Sequence, residues 1–168
     1  KCAYPPLNLV SYSIGNVVLC ALQKFFRGEE VVANIIYDFI QKESPSYLLT
    51  GGFLFSVLHG NHIEDFSDID IITQDVTLDN SNYGSLACPL IHALHAVGAL
   101  IPHRYQRKPI DSYADTNKVL KCVFDYRTRQ GRKIQLLGVD DNRVGDFLQS
   151  FDFPFVRNTF GCGGKLLL

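Results

Sequence analysis

The fold of this chain is decided by LLTGGFLFS at residues 48–56, which is followed after one short loop by SDIDII at residues 67–72. The apolar run before the glycines is typical of a short buried strand, and residues 53–59 have the pattern of the first turns of a helix. Because glycine has no Cβ, a polyanion can approach the backbone here, and the N–H groups at a helix start attract negative charge. Gly51 and Gly52 therefore predict a phosphate-binding turn.

The second stretch carries an acidic pair, Asp68 and Asp70, in a predicted strand. Side chains alternate along a strand, so both carboxylates lie on one face while Ile69 and Ile71 lie on the other, buried face. Two carboxylates held side by side repel each other unless a cation lies between them, and Mg²⁺ prefers oxygen ligands. The pair therefore predicts a site for Mg²⁺ or Mn²⁺.

The order of these features is more informative about function than any one of them. A strand, a glycine pair that opens a helix and an acidic strand form one unit. This order resembles the nucleotidyltransferase-fold superfamily of DNA polymerase β, poly(A) polymerase and the minimal nucleotidyltransferases, including virus- and phage-type members. The resemblance covers about residues 45–75 and, more loosely, residues 118–160. It implies transfer of a nucleoside monophosphate from an NTP substrate to an acceptor hydroxyl by a two-metal mechanism, with release of pyrophosphate.

The resemblance also implies roles for individual residues near the glycine pair. Asp68 and Asp70 would bind two Mg²⁺ ions, while the phosphates would contact Gly51, Gly52 and Ser56. The nucleotide is thus the first expected partner. The acceptor is open, with an RNA or a protein as the expected classes.

A third carboxylate on a later strand usually completes such a site, because it helps to bind one ion and to deprotonate the acceptor. Asp152, on a predicted late strand, is the candidate, and Asp125 is the competitor. Lys118 and Lys121 would reach the triphosphate if their side chains face the cleft. The chain departs from the superfamily at Phe53, where a Ser commonly follows the glycine pair, so the phosphate would rely on backbone N–H groups.

A non-catalytic module with the same fold is the alternative interpretation. The domain would then be a structural part, or a protein- or RNA-interaction part, of a larger assembly such as a viral one. Phe53 favours this alternative, as does the apolar end of residues 161–168, which would contact a protein partner. The chain contains no Met, which predicts a processed product or an excised segment.

Two other groups of residues have a possible binding role. A cysteine and two histidines fall at i, i+4 and i+7 of a predicted helix and could bind Zn²⁺, although half-buried histidines on such a helix are common. A predicted hairpin tip carries four basic residues that either contact RNA or nucleotide phosphate or are simply solvated. The two groups are Cys88, His92 and His95, and Arg127, Arg129, Arg132 and Lys133.

The remaining pattern predicts one α/β domain over residues 1–168, with a mixed sheet of about four or five strands and helices packed on one side. Residues 1–15, which contain Pro5 and Pro6, are predicted to form an extended N-terminal arm. Helices are predicted at residues 17–26, 29–42, 53–59, 89–100 and 142–149, and strands at residues 47–50, 68–72, 118–126, 134–139 and 151–156.

The composition limits the possible partners and compartments. The net charge is −1, so no sequence-wide basic field attracts nucleic acid, and an RNA partner would need a local patch. The five cysteines are odd in number and scattered, which favours a reducing, cytoplasmic location. No apolar run reaches the length of a membrane span, so no membrane partner is expected.

Overall fold

The computed structural model describes residues 7–43, 47–60, 68–78, 86–107, 120–139, 143–149 and 158–167. The helices in these segments are α1 (Leu7–Phe25), α2 (Glu30–Gln41), α3 (Gly51–Leu58), α4 (Pro89–Ala96) and α5 (Val144–Gln149). The strands are β1 (Tyr47–Thr50), β2 (Asp68–Thr73), β3 (Thr77–Leu78), β4 (Leu86–Ala87), β5 (Leu100–Arg107), β6 (Leu120–Thr128), β7 (Lys133–Val139), β8 (Thr159–Gly161) and β9 (Lys165–Leu167).

The described strands form one large mixed sheet and one small one. The large sheet has seven strands in the order β5-β6-β7-β2-β1-β8-β9, and β3 pairs with β4. Strands β2 and β7 are parallel, whereas the other neighbouring strands of the large sheet are antiparallel. The predicted mixed α/β class is confirmed, but the sheet is larger than predicted because the sequence pattern did not indicate β5, β8 and β9.

Helices pack on both faces of the large sheet. On the first face, residues such as Leu49 and Ile69 join the larger hydrophobic core with α1, α2, α3 and α4. On the second face, Phe147 of α5 packs against a smaller core that includes Leu48 and Ile72. The prediction of helices on one side is therefore wrong. Apolar residues occur at alternate positions on both faces of these strands, so the second face also needs a cover.

Helix α1 begins at Leu7, so the prediction of an extended arm is wrong over residues 7–15, while residues 1–6 lie outside the described segments. The two prolines precede the helix in sequence and remove no hydrogen bond inside it. Gly15 lies where α1 approaches α2, since a Cβ at this position would be 2.9 Å from the Tyr37 hydroxyl oxygen. This glycine reflects a tertiary contact and does not end the helix.

Helix α4 ends at Ala96 and not near Leu100 as predicted. Gly98 has a φ of +66°, and the Ala99 N–H donates to the Leu94 carbonyl oxygen at 3.0 Å, which closes the last turn. The chain then enters β5 at Leu100. Helical spacing alone predicted a longer helix because Leu100 falls on the apolar side of the pattern.

The glycine-rich C-terminal stretch forms a hairpin of β8 and β9, where the sequence predicted an apolar end that contacts a protein partner. Gly161 lies against the Tyr47 carbonyl oxygen, and a Cβ at this position would clash with it. Gly163 and Gly164 have φ values of +88° and +72° in the turn. These glycines therefore serve strand pairing and the turn. The predicted strand at residues 151–156 lies outside the described segments.

Candidate functional site

The glycine turn and the acidic strand meet at one corner of the sheet. Thr50 lies directly opposite Asp70 on antiparallel β1 and β2, so their side chains share a face. Gly51 follows with a φ of +78°, and a Cβ there would collide with Oδ2 of Asp70. The Asp70 carboxylate therefore lies against the backbone at the start of α3, where the helix dipole favours negative charge.

A row of polar residues crosses five strands through this corner. In register from β8 to β6, the row consists of Thr159, Thr50, Asp70, Gln135 and Asp125. Residues directly opposite each other on neighbouring strands project to the same face of a sheet. The acidic pair is thus part of a continuous polar surface on the second face.

Hydrogen bonds hold side chains of this polar row in place. Thr50 is fully buried, and Gln135 and Asp125 are each only 8% exposed. The Thr50 hydroxyl donates to the Asn158 carbonyl oxygen at 2.8 Å, and Gln135 Nε2 donates to Asp125 Oδ1 at 3.1 Å. Because buried polar groups are costly without hydrogen bonds, these contacts offset the burial of Thr50, Gln135 and Asp125.

The second face becomes apolar two residues further along each strand. Leu48, Ile72, Leu137 and Val123 lie next to one another on β1, β2, β7 and β6, and they belong to the smaller core with Phe147 of α5. Residues two apart on a strand share a face, so the polar row directly borders the apolar one. Helix α5 packs on the apolar part, and the polar row marks the border of that core.

Lys133 places a positive charge between two of the acids. It lies opposite Asp68 on the parallel strand β7, and its Nζ is 3.3 Å from Asp68 Oδ2. The same Nζ is 3.9 Å from Asp125 Oδ2. The exposed fractions of these side chains are 19% for Lys133, 29% for Asp68 and 11% for Asp125, so salt screens the contacts only partly. An ammonium therefore contacts one acid of the pair that the sequence assigns to a metal ion.

The acids of the corner offer carboxylate oxygens but form no all-protein metal cage among the described residues, so the Mg²⁺ site stays a prediction. Within the described ranges, no group of three or more His, Cys, Asp or Glu side chains is placed to hold a metal ion. Asp68 and Asp70 supply two carboxylates on one face. Mg²⁺ is commonly held by one or two carboxylates together with substrate phosphates and water, so two carboxylates beside a helix start suit it.

The three predicted phosphate contacts lie at different depths of α3. Gly51 and Gly52 open the helix, whereas Ser56 is buried one turn further on. At 1.5 Å per residue, Ser56 lies about 7.5 Å along the helix axis from Gly51. The phosphate-binding role of Ser56 stays a prediction.

The structure does not bring every other predicted residue to this corner. Lys121 lies near the opposite end of β6, four residues or about 13 Å from Asp125, and its Nζ donates to the Val76 carbonyl oxygen at 3.4 Å. It is not brought together with the acidic pair. Asp152 and Lys118 lie outside the described segments.

Gln135 and Thr159 belong to the polar row but were not selected from the sequence. Gln135 is a polar residue inside the apolar run at residues 134–139, a pattern that indicates a buried hydrogen-bonding position. Thr159 gives no comparable signal. Its place in the row depends on β8, which the pattern did not predict.

Cys88, which precedes α4, and the two histidines of α4 are not among any group of metal-binding side chains in the described part of the chain. Cys88 is buried, whereas His92 and His95 are exposed. Burial raises the pKa of the Cys88 thiol, although the thiolate is the form that binds metals. The Cys88 sulfur lies 3.8 Å from the Tyr47 hydroxyl, which donates to Asp75 Oδ2 at 2.9 Å. Cys88 is therefore a buried core residue in contact with Tyr47, which is a structural role.

The arginines of the β6–β7 hairpin have partners within the chain. Arg127 donates to a carbonyl oxygen of its own turn at 2.9 Å, and Arg129 donates to the Gly98 carbonyl oxygen at 2.5 Å. The Arg132 guanidinium lies 5.1 Å from the centre of the Phe25 ring. The hairpin tip is thus joined to α1 and to the turn after α4. Its binding to RNA or nucleotide phosphate stays a prediction.

Comparisons with protein family models, with curated proteins and with solved structures gave no match to this chain. Among the helices that the structure describes, none is long and apolar enough to cross a membrane.

Proposed function

We propose that this chain is a Mg²⁺-dependent nucleotidyltransferase domain that transfers a nucleoside monophosphate from an NTP to an acceptor hydroxyl. One observation carries the proposal: the Asp70 carboxylate lies against Gly51 at the start of α3. A helix start that can bind phosphate and a strand with paired acids thus share one corner. Nucleotide transfer needs this arrangement, because the charge of a triphosphate must be neutralised next to the carboxylates.

Different residues of the corner would bind the phosphates and the metal ion. Backbone N–H groups at the start of α3 would donate hydrogen bonds to the phosphates, and Gly52 would leave room for their approach. Gly51 allows the Asp70 carboxylate to come close to the turn. Mg²⁺ or Mn²⁺ held by Asp68 and Asp70 would neutralise the triphosphate charge and favour the ionised acceptor oxygen.

The reaction forms one bond and breaks one. The acceptor oxygen bonds to the α-phosphorus, and the bond from the α-phosphorus to its bridging oxygen breaks, so that pyrophosphate leaves with the electron pair. The acceptor proton passes to a carboxylate, for which the resemblance to nucleotidyltransferases supports Asp152. Asp125 is less suited, because its carboxylate already contacts Gln135 and Lys133.

Incubation with each α-labelled NTP, Mg²⁺ and pools of RNA, protein and small-molecule acceptors tests this proposal. The wild-type chain should transfer label to an acceptor, and Asp70→Asn should slow the transfer by at least about 100-fold. Asp38→Asn is the control, since Asp38 is an exposed acid on α2, and it should leave the rate unchanged. Equal transfer by the wild type and Asp70→Asn would overturn the proposal.

The alternative, a non-catalytic module with the same fold, is favoured by the position of Lys133. Its ammonium contacts Asp68 and Asp125, so a permanent positive charge already neutralises part of the acidic face. The face would then be a structural feature, and the domain would bind protein or RNA within a larger assembly. A folded wild-type chain that transfers no label from any NTP to any acceptor pool supports this candidate.

A further inference from the structure

Lys133 is placed so that one ammonium serves two carboxylates on the same face of the sheet. Its Nζ is 3.3 Å from Oδ2 of Asp68, which lies directly opposite on β2, and 3.9 Å from Oδ2 of Asp125 on β6. The lysine side chain is mostly buried, so solvent and salt screen these contacts less than they screen contacts at an open surface.

Asp125 offers the ammonium a second position. Gln135 donates a 3.1 Å hydrogen bond to Oδ1 of Asp125, while Oδ2 is the oxygen close to Lys133. Asp125 is buried, so the sheet determines where its carboxylate lies. A lysine stem is flexible, and its ammonium is a point charge that needs no fixed plane. Movement from Asp68 toward Asp125 therefore requires only rotation of the Lys133 side chain.

We infer that Lys133 is a resident counter-ion that competes with a divalent cation for Asp68 and moves toward Asp125 when the cation binds. The inference rests on the metal site of the proposed function. Without a divalent cation, the ammonium reduces the repulsion between Asp68 and Asp70. A divalent cation at Asp68 repels the ammonium, and Asp125 receives it. Lys133 thereby lowers the affinity of the acidic pair for metal and stabilises the metal-free chain.

Binding of Mn²⁺ to the wild type and to Lys133→Met, followed by electron paramagnetic resonance of free Mn²⁺, tests this inference without an activity assay. Met keeps an unbranched apolar stem and removes the charge. The matched control is Arg127→Met, because Arg127 lies opposite Lys133 on β6 and carries the same charge at an exposed position. Lys133→Met should bind Mn²⁺ about tenfold more tightly than the wild type, and Arg127→Met should differ by less than about threefold.

Thermal unfolding in EDTA gives a second readout. Lys133→Met should unfold at a lower temperature than the wild type, because the acidic pair has lost its counter-ion, and saturating Mn²⁺ should reduce the difference. If Lys133→Met does not fold, Lys133→Gln serves in its place, since its amide still donates hydrogen bonds to the carboxylates. The expected direction of the Mn²⁺ affinity is the same for both variants.

The outcomes separate this inference from the proposed function. Equal or weaker Mn²⁺ binding by the Lys133 variants overturns the inference, even if the wild type transfers nucleotides. Tighter Mn²⁺ binding by these variants supports the inference even if no protein transfers nucleotides. In that case only the proposed function is overturned. No Mn²⁺ binding by any of the proteins overturns both.

Discussion

Thr50 and Asp70 lie directly opposite each other on antiparallel β1 and β2, and this one pairing joins the two halves of the candidate site. The residue after Thr50 begins α3, and the residue two before Asp70 is the other acid of the pair. The pairing therefore brings a helix N-terminus and two carboxylates to the same face. We expect some substitutions at this corner to change mainly the free energy of unfolding and others to change mainly ligand binding.

Gly51→Ala should destabilise the fold by about 1–3 kcal/mol, whereas Gly52→Ala should change the free energy of unfolding by less than about 1 kcal/mol. Gly51 has a φ of +78° and leaves no space for a Cβ beside Asp70. Gly52 lies inside α3, where Ala favours the helix. Urea unfolding of the two variants and the wild type measures the difference, and equal stability of the variants contradicts this turn geometry.

Mn²⁺ should stabilise the wild type but not the double variant Asp68→Asn/Asp70→Asn. At about 100 times the dissociation constant, a ligand that binds only the folded chain raises the free energy of unfolding by about 2.7 kcal/mol. Thermal unfolding with and without Mn²⁺ measures the response. Asp38→Asn, with its change on the exposed side of α2, should respond like the wild type. The same response in the double variant removes the metal site from this corner.

Asp152→Ala should slow nucleotide transfer by about three powers of ten while the affinity for NTP changes little. The reason is that the acidic pair and the start of α3 still hold the triphosphate, whereas the acceptor loses its proton-accepting carboxylate. Single-turnover transfer and equilibrium binding of labelled NTP separate the two effects. Asp125→Asn is the paired variant. Loss of transfer in Asp125→Asn with full transfer in Asp152→Ala would assign the third carboxylate to Asp125.

The stability of the fold should fall as the pH rises above about 9. Burial, together with contacts to Cys88 and Asp75, raises the pKa of the Tyr47 hydroxyl above its ordinary value of 10.0, and burial raises the pKa of the Cys88 thiol above 9.0. Both groups stay neutral in the fold and ionise first in the unfolded chain. Their contribution is therefore complete below the unfolded pKa values and is lost as the pH rises toward the folded ones.

Urea unfolding at several values between about pH 7 and 11 measures this loss. Tyr47→Phe should be less stable near neutral pH, because Asp75 loses a hydrogen-bond donor, but its stability should fall less steeply at alkaline pH. A wild-type stability that stays constant over the alkaline range contradicts the prediction.

Local periodicity was enough to predict the central elements. The alternation of side chains along a strand placed Asp68 and Asp70 on one face of β2. Apolar residues at helical spacing, followed by a proline, predicted a helix at residues 29–42, and α2 spans Glu30–Gln41. Both patterns depend only on the backbone geometry of one element. The same reasoning predicted a helix that continued to Leu100 and an extended arm at residues 1–15, which is wrong over residues 7–15. Local patterns take no account of contacts between segments, such as Gly15 against Tyr37.

The sequence by itself therefore determined the mixed α/β class, the glycine turn and the shared face of the two acids. Only the tertiary structure decided that Lys133 lies opposite Asp68 and that Gln135 bonds to Asp125. It also decided that Asp70, Gln135 and Asp125 form one row with Thr50. The physical reason is that a strand's alternation is local, whereas its neighbours and register depend on hydrogen bonds and packing between segments far apart in the chain.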